Sequence, residues 1–147
     1  MSNINSGQEN RAQQCRETAE KLIRAVYDED GAVLLSLLSQ GSRLSLESRG
    51  VPPDGASLPA LAQTIRRAWN CPLPRVQVLG ADFDHPHLQG RVRVPVILDH
   101  QNCIPEGHVL RDGDPLPSSC GALCVLLIRE GGEWKVDNIA ELAPGSC

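Results

Sequence analysis

The stretch REGGEWKVDNI, from Arg129 to Ile139, constrains the fold of this chain more than any other. Consecutive glycines, Gly131 and Gly132, readily adopt the positive φ angles that a two-residue hairpin turn requires. The turn follows the apolar run GALCVLLIRE and precedes a segment in which Trp134 and Val136 alternate with charged residues. The pattern predicts an antiparallel hairpin, and its first strand, apolar on both faces, is predicted to be central in its sheet.

Three helices are predicted before the long strands. From about Glu9 to Glu29, apolar residues recur at gaps of three and four, which predicts one amphipathic helix. Asp30 and Ser57 are suitable N-caps for a second, shorter helix and for a third one. Between those two helices, the segment SRLSLES at 42–48 alternates polar residues with leucine. This alternation predicts a short strand with both leucines facing inward.

Two further strands are predicted over residues 75–83 and 88–100, and a long loop over 101–119 separates them from the closing hairpin. The fold class is therefore α+β, with three N-terminal helices packed on a curved antiparallel sheet of four to six strands. We expect a single domain over residues 9–142, a disordered tail over 1–8 and a second tail over 143–147.

Charge and composition exclude several classes of function. The net charge is −4, and Lys21 and Lys135 are the only lysines, so neither nucleic acid nor a membrane surface is an expected partner. No apolar window of about 18 residues predicts a transmembrane helix. The N-terminus lacks the profile of a signal peptide, which predicts a soluble, cytoplasmic protein. Reduced, buried thiols are then expected at the six cysteines, and no cofactor or metal is predicted.

The order of elements resembles the nuclear transport factor two-like superfamily, the cone-shaped fold also seen in ketosteroid isomerase. The resemblance is carried by AEKLIRAVYDEDGAVLLSLL, by the short strand and serine-capped helix that follow, and by the closing GGEWKVDNI. It covers most of residues 9–142 and implies a pocket at the open end of the cone. Members include isomerases, dehydratases, epoxide hydrolases and domains without enzymatic activity, so the fold alone does not decide the chemistry.

The resemblance implies a homodimer formed through the sheet face and a pocket for a small, mostly apolar ligand. Six residues are expected to line that pocket: Leu22, Val26, Leu46, Trp69, Val94 and Trp134. Ketosteroid isomerase-like members carry an acidic general base on the short strand and a tyrosine on the first helix. Here those positions align with leucines, which favours a binding or assembly module over an enzyme. A shift of the alignment by one residue would instead place Glu47 in the pocket.

The alternative is an isomerase, dehydratase or hydrolase that uses a buried carboxylate. The candidate catalytic residues are Asp82, Asp99, His100 and Glu47. Asp99 and His100 precede the long loop and His108 lies within it, so these three side chains form a candidate acid–base group.

Two other groups of side chains have competing interpretations. All four histidines fall within 24 residues, which suggests either a solvated turn or, less favoured, a metal site. Arg75, Arg91 and Arg93 form a basic stripe that either holds an anionic ligand or pairs with carboxylates across strands or across a dimer interface.

Overall fold

The structure is a computed structural model that describes residues 3–54, 56–69, 75–81, 83, 90–99, 104, 105, 107, 108, 115 and 120–143, without the side chains of residues 3–9, 68, 69, 75 and 141–143. Four helices precede four strands: α1 (Asn3–Asp28), α2 (Gly31–Leu37), α3 (Gln40–Ser48), α4 (Leu58–Trp69), β1 (Arg75–Val78), β2 (Val92–Asp99), β3 (Cys120–Glu130) and β4 (Glu133–Ala143). The predicted α+β class is confirmed.

The four strands form one antiparallel sheet in the order β1-β2-β3-β4. The predicted closing hairpin is confirmed, since Gly131 and Gly132 have φ angles of 57° and 81° and β3 pairs with β4 on either side of them. β3 lies between β2 and β4, as its apolar pattern predicts. β4 contains two register shifts, and at the one nearer to the hairpin turn Leu126 pairs with Asn138 but Leu127 pairs with Val136. Asp137 is therefore the extra residue of a bulge at this position.

The two faces of the sheet bury different sets of side chains. One face, here called the helix face, joins the helices in the main core and contributes Val92, Val94, Val96, Leu98, Leu123, Val125, Leu127 and Val136. On the opposite, outer face, a smaller cluster contains Leu79, Ile97, Ile104, Cys120 and Ala122. Strand alternation separates the two sets. The outer cluster is buried within a single chain, which explains why β3 is apolar on both faces.

Two of the three predicted helices appear with the expected capping or extent. α2 begins after Asp30, whose Oδ1 accepts a hydrogen bond of 3.2 Å from the backbone N–H of Val33. α4 begins at Leu58 and runs to Trp69, as the Ser57 cap predicts. The backbone of α1 is helical from Asn3, so the start predicted at Glu9 is too late. Residues 144–147 lie outside the described ranges.

The predicted short strand over residues 42–48 is wrong, because these residues form α3. Two groups satisfy free N–H groups at the start of this helix. Ser39 Oγ accepts from the backbone N–H of Ser42 at 3.0 Å, and Glu130 Oε1, from the closing hairpin, accepts from that of Gln40 at 3.1 Å. The edge of β4 is met instead by Leu38, which forms a single parallel bridge with Val136.

Local chemistry also explains the limits of β1 and β2. The predicted strand over residues 75–83 is described as strand only over Arg75–Val78. Pro95, which cannot donate a backbone hydrogen bond, accepts one at its carbonyl from Leu79 N at 2.9 Å. The nitrogen of Pro95 therefore faces the side on which β1 has already ended, so no ladder bond is lost.

None of the described helices is long and apolar enough to cross a membrane.

Candidate functional site

The predicted pocket residues lie mainly inside the packed core. Leu22, Val26 and Val94 are at most 2% exposed. Leu46 and Trp134 are partly buried against the same core, and the side chain of Trp69 lies outside the described part of the chain. Of the six, only Trp134 lines either of the two cavities considered below. Leu22, Val26 and Val94 are therefore packed against other core side chains and do not line either of these cavities.

The candidate catalytic residues are in different surroundings. Glu47 is exposed on α3, where its neighbour Leu46 packs against the core. Asp82 and His100 lie outside the described residues. Asp99 is buried at the end of β2, with 2% of its surface exposed. Of the two candidates that the structure describes, Asp99 is therefore the carboxylate that the fold places inside the protein.

Asp99 is held on the outer face of the sheet by strand alternation, since its neighbour Leu98 is in the main core. Its Oδ2 accepts a hydrogen bond of 2.9 Å from the backbone N–H of Ile104. The Cys120 thiol, directly opposite on β3, lies 3.6 Å from Oδ1 and donates to it. A carboxylate taken out of water needs such donors, because burial without them costs several kcal/mol.

A cavity of about 170 Å³ lies beside this carboxylate and is here called the Asp99 cavity. Its lining combines apolar and polar residues: Val76, Gln77, Asp99, Ile104, Pro105, Gly107 and His108. The sheet supplies the first three and the segment after β2 supplies the rest. The structure therefore brings Asp99 and His108 to one cavity, which is not on the helix face.

Besides the bond from Ile104 to Asp99, a second hydrogen bond connects the two walls of the Asp99 cavity. Gln77 Nε2, on β1, donates to the carbonyl oxygen of His108 at 3.0 Å. Sequence reasoning missed Gln77, because a single glutamine on a short strand carries no signal for such a contact. Asp99, in contrast, was a candidate from the sequence because it directly precedes the long predicted loop.

A second cavity, of about 400 Å³, lies between α1, α2 and the closing hairpin. It is lined mainly by polar side chains, including both lysines of the chain: Gln14, Glu17, Thr18, Lys21, Ser36, Leu37, Glu133, Trp134 and Lys135. Lys135 Nζ already donates to the Ser36 carbonyl at 2.6 Å and pairs with Glu133 at 3.0 Å. This cavity is therefore a mainly polar groove between α1, α2 and the closing hairpin, and Trp134 forms its aromatic wall.

The predicted basic stripe is used in part for internal pairing. Arg91 Nε donates to the Asp137 carboxylate in a half-buried ion pair. Asp137 also accepts a hydrogen bond of 2.9 Å from Ser39 Oγ. For Arg91, the predicted alternative of pairing with a carboxylate is the one observed. The side chain of Arg75 lies outside the described residues.

The cysteines that the structure describes are buried thiols, at Cys15, Cys120 and Cys124. Burial raises the pKa of the Cys15 thiol to about 11, against the opposing effects of Arg11 and Arg129. A thiol with such a pKa stays protonated near neutral pH and is a poor nucleophile. Over the described residues, no group of three or more His, Cys, Asp or Glu side chains is arranged to hold a metal ion.

Comparison of this chain with models of known protein families, with curated proteins and with solved structures found no match. The functional inference therefore depends on the geometry of the Asp99 cavity and on general chemistry.

Proposed function

We propose that this domain binds a small, mostly apolar molecule in the Asp99 cavity. The observation that carries the proposal is a buried carboxylate in the wall of a cavity whose other walls include Val76, Ile104 and Pro105. Apolar walls with one or a few placed polar groups are typical of small-molecule sites. A carboxylate only accepts hydrogen bonds when ionised, so the preferred ligand carries an O–H or N–H donor.

The size of the cavity limits the ligand. Its volume of about 170 Å³ corresponds to roughly six water volumes of about 30 Å³ each. Sites for drug-sized ligands occupy roughly 300–1,000 Å³. The ligand is therefore a short-chain alcohol or amine rather than a steroid-sized molecule.

The proposal is tested by titrating the ¹⁵N-labelled protein with three probes of similar size and following the amide chemical shifts. Isobutylamine and isobutanol carry a donor, whereas methyl tert-butyl ether carries none. We expect shifts at the amides of Gln77, Ile104 and His108, and tighter binding of the two donors. Asp99→Asn should weaken isobutylamine binding about tenfold or more, the effect of losing a hydrogen bond to a charged group.

Two further variants keep this test decisive. Glu47→Gln removes an exposed carboxylate on α3 and should leave binding unchanged. If Asp99→Asn does not fold, His108→Trp fills the cavity from an exposed position and should weaken all three probes. The proposal fails if no probe shifts those three amides, or if Asp99→Asn folds and binds isobutylamine as well as the wild type does.

A catalytic role is a second candidate, favoured by the presence of Asp99 and His108 in one cavity. The carboxylate would act as a general base and the imidazole as its acid–base partner. The test incubates each molecule that binds the cavity with protein in deuterated water and follows C–H exchange and conversion by NMR. An enzyme shows exchange or turnover that Asp99→Asn and His108→Ala abolish, whereas a binding module shows neither.

We also propose that the chain is a divergent relative of the nuclear transport factor two-like superfamily. Support comes from the helices that precede an antiparallel sheet and from the closing hairpin. Two features differ from the superfamily's pattern: α3 replaces the short strand, and the Asp99 cavity lies on the outer face of the sheet. An experimental structure in which residues 42–48 pair with β4 as a strand would strengthen this proposal, and a different strand order would end it.

The homodimer through the sheet face is the remaining part of the proposal. On the outer face, Ile97 and Ala122 are already buried within one chain, so a second copy would have to pack nearer to the half-buried Leu126. Val125 and Leu127 face the helices, and charging them would unfold the subunit instead of separating two copies. Leu126→Glu should convert a dimer to a monomer in sedimentation experiments, and a monomeric wild type would exclude the dimer.

A further inference from the structure

The larger of the two cavities lies between α1, α2 and the closing hairpin and is here called the Lys21 cavity. Its volume is about 400 Å³, against about 170 Å³ for the Asp99 cavity. This volume falls within the range of roughly 300–1,000 Å³ that is typical of small-molecule sites. None of the described residues lines both cavities, so binding in the Lys21 cavity does not depend on the proposed function.

One wall of the Lys21 cavity is a polar stripe of α1. It consists of Gln14, Glu17, Thr18 and Lys21, whose spacing places them on the same side of the helix. Glu17 and Lys21 are both exposed and lie about one helical turn apart. The neutral amide of Gln13 donates to Glu17 at 3.2 Å and leaves its charge in place. This wall therefore presents a carboxylate and an ammonium group side by side.

A second wall is apolar and is formed by Trp134 and Leu37. Phe83 packs edge to face on the Trp134 ring, with the ring centroids 6.2 Å apart, and the Arg129 guanidinium lies 5.7 Å from the Trp134 centroid. Neither Phe83 nor Arg129 lines the cavity, so both hold the indole ring from other sides. A ring fixed in this way offers apolar contact area at a small cost in conformational entropy.

The other two charges of the lining neutralise each other. Lys135 Nζ lies 3.0 Å from the Glu133 carboxylate and donates to the Ser36 carbonyl at 2.6 Å. These contacts join the closing hairpin to the end of α2 and hold the wall in place. The charges that the cavity presents to a ligand are therefore the cation of Lys21 and the carboxylate of Glu17.

We propose that the Lys21 cavity binds a free α-amino acid with an apolar side chain. The ligand carboxylate lies at Lys21, its ammonium group at Glu17 and its side chain against Trp134 and Leu37. The Cβ atoms of Glu17 and Lys21 are about 6 Å apart, as in any helix, so these two flexible side chains reach both charged groups of one amino acid. A ligand with a single charge would meet a like charge on this wall, whereas a zwitterion complements both.

The proposal is tested with three probes that share a phenyl ring and a two-carbon chain. L-phenylalanine carries both charged groups, hydrocinnamate lacks the ammonium group and phenethylamine lacks the carboxylate. Each probe is titrated into ¹⁵N-labelled protein, and the indole N–H signal of Trp134 is followed with the backbone amides of Thr18 and Lys135. We expect L-phenylalanine to shift all three signals and to bind at least about threefold more tightly than either analogue, because each analogue loses one exposed ion pair.

Two neutral substitutions assign the two charges. Glu17→Gln should weaken L-phenylalanine to the affinity of hydrocinnamate, and Lys21→Gln should weaken it to that of phenethylamine. Glu20→Gln and Arg24→Gln are the matched controls, because these residues pair with each other at 3.0 Å on the same helix and do not line the cavity. Both controls should leave the binding of L-phenylalanine within about twofold of the wild type.

Three results would overturn the proposal. In the first, L-phenylalanine leaves the Trp134 indole signal unshifted or shifts the Ile104 amide of the Asp99 cavity instead. In the second, either analogue binds as tightly as L-phenylalanine, which would show that one charge of the ligand is not recognised. In the third, Glu17→Gln or Lys21→Gln binds L-phenylalanine as well as the two controls do. The isobutylamine titration of the Asp99 cavity tests the proposed function separately.

Discussion

At the scale of single residues, Ser39 is the side chain that links the helices to the end of the sheet. It is 1% exposed, and among the described residues Ser39 and Asp99 are the two buried polar side chains. Its Oγ donates to Asp137 at 2.9 Å and accepts from the backbone N–H of Ser42 at 3.0 Å. The same hydroxyl therefore caps α3 and satisfies the bulge carboxylate that also pairs with Arg91.

We expect Ser39→Ala to lower the free energy of unfolding by about 1–2 kcal/mol, because it removes an N-cap and leaves a partly buried carboxylate with one donor fewer. Urea denaturation measures the change. Ser48→Ala is the control, since Ser48 is exposed and its Oγ donates only to the Ser45 carbonyl of its own helix at 2.8 Å. That variant should stay within about 0.5 kcal/mol of the wild type. Equal effects of the two substitutions would contradict the role given to Ser39.

At the scale of elements, α3 is where the local pattern and the structure disagree. Leu44 and Leu46 alternate with polar residues, and on a strand both would face the core. In a helix they lie about 200° apart, because each residue turns by about 100°. Leu44 is accordingly 58% exposed, while Leu46 packs against the main core. Ser39 and Glu130 lie outside residues 40–48, and their side chains cap the start of α3.

A pair of substitutions distinguishes the two conformations. If residues 40–48 are helical, Leu44→Lys should change the free energy of unfolding by less than about 0.5 kcal/mol, because lysine is accommodated at an exposed helical position. Leu46→Lys should lower it by about 1–3 kcal/mol, because a charge is then forced against apolar side chains. Urea denaturation of both variants gives the result. Similar, large losses for both would indicate that the leucines share one face, as in a strand.

At the scale of the whole molecule, the core contains two groups that resist ionisation. Burial raises the pKa of Cys15 from 9.0 to about 11 and that of Tyr27 from 10.0 to about 12. Both belong to the main core between the helices and the sheet. In the unfolded chain these groups lose their protons at lower pH than in the folded protein, so the unfolded state gains stability as pH rises.

The free energy of unfolding should therefore be unaffected by these groups below about pH 9 and should fall as pH rises through about 11 and 12. Urea denaturation at a series of pH values from 7 to about 12 measures how the free energy of unfolding changes with pH. Cys15→Ala removes the first group, so the decline in that variant should begin nearer to pH 10, the ordinary value for tyrosine. A stability that rises over this range, or an onset unchanged in Cys15→Ala, would show that the thiol is not protected by the core.

Sequence alone was sufficient wherever the signal was local. The spacing of apolar residues predicted α1, the Asp30 cap predicted α2 and the Gly-Gly pair predicted the closing hairpin, because each depends on backbone preferences of neighbouring residues. Asp99 was identified as a candidate from its position directly before the long predicted loop.

Tertiary structure decided the features that depend on contacts between distant residues. α3 is capped by Ser39 and Glu130, and Leu38, which precedes it, forms a bridge with Val136 at the edge of β4. The Asp99 cavity exists because the chain after β2 returns to the outer face and is held there by Asp99 and Gln77. A local pattern cannot encode either result, because the free energy that selects it comes from side chains that only the fold brings together.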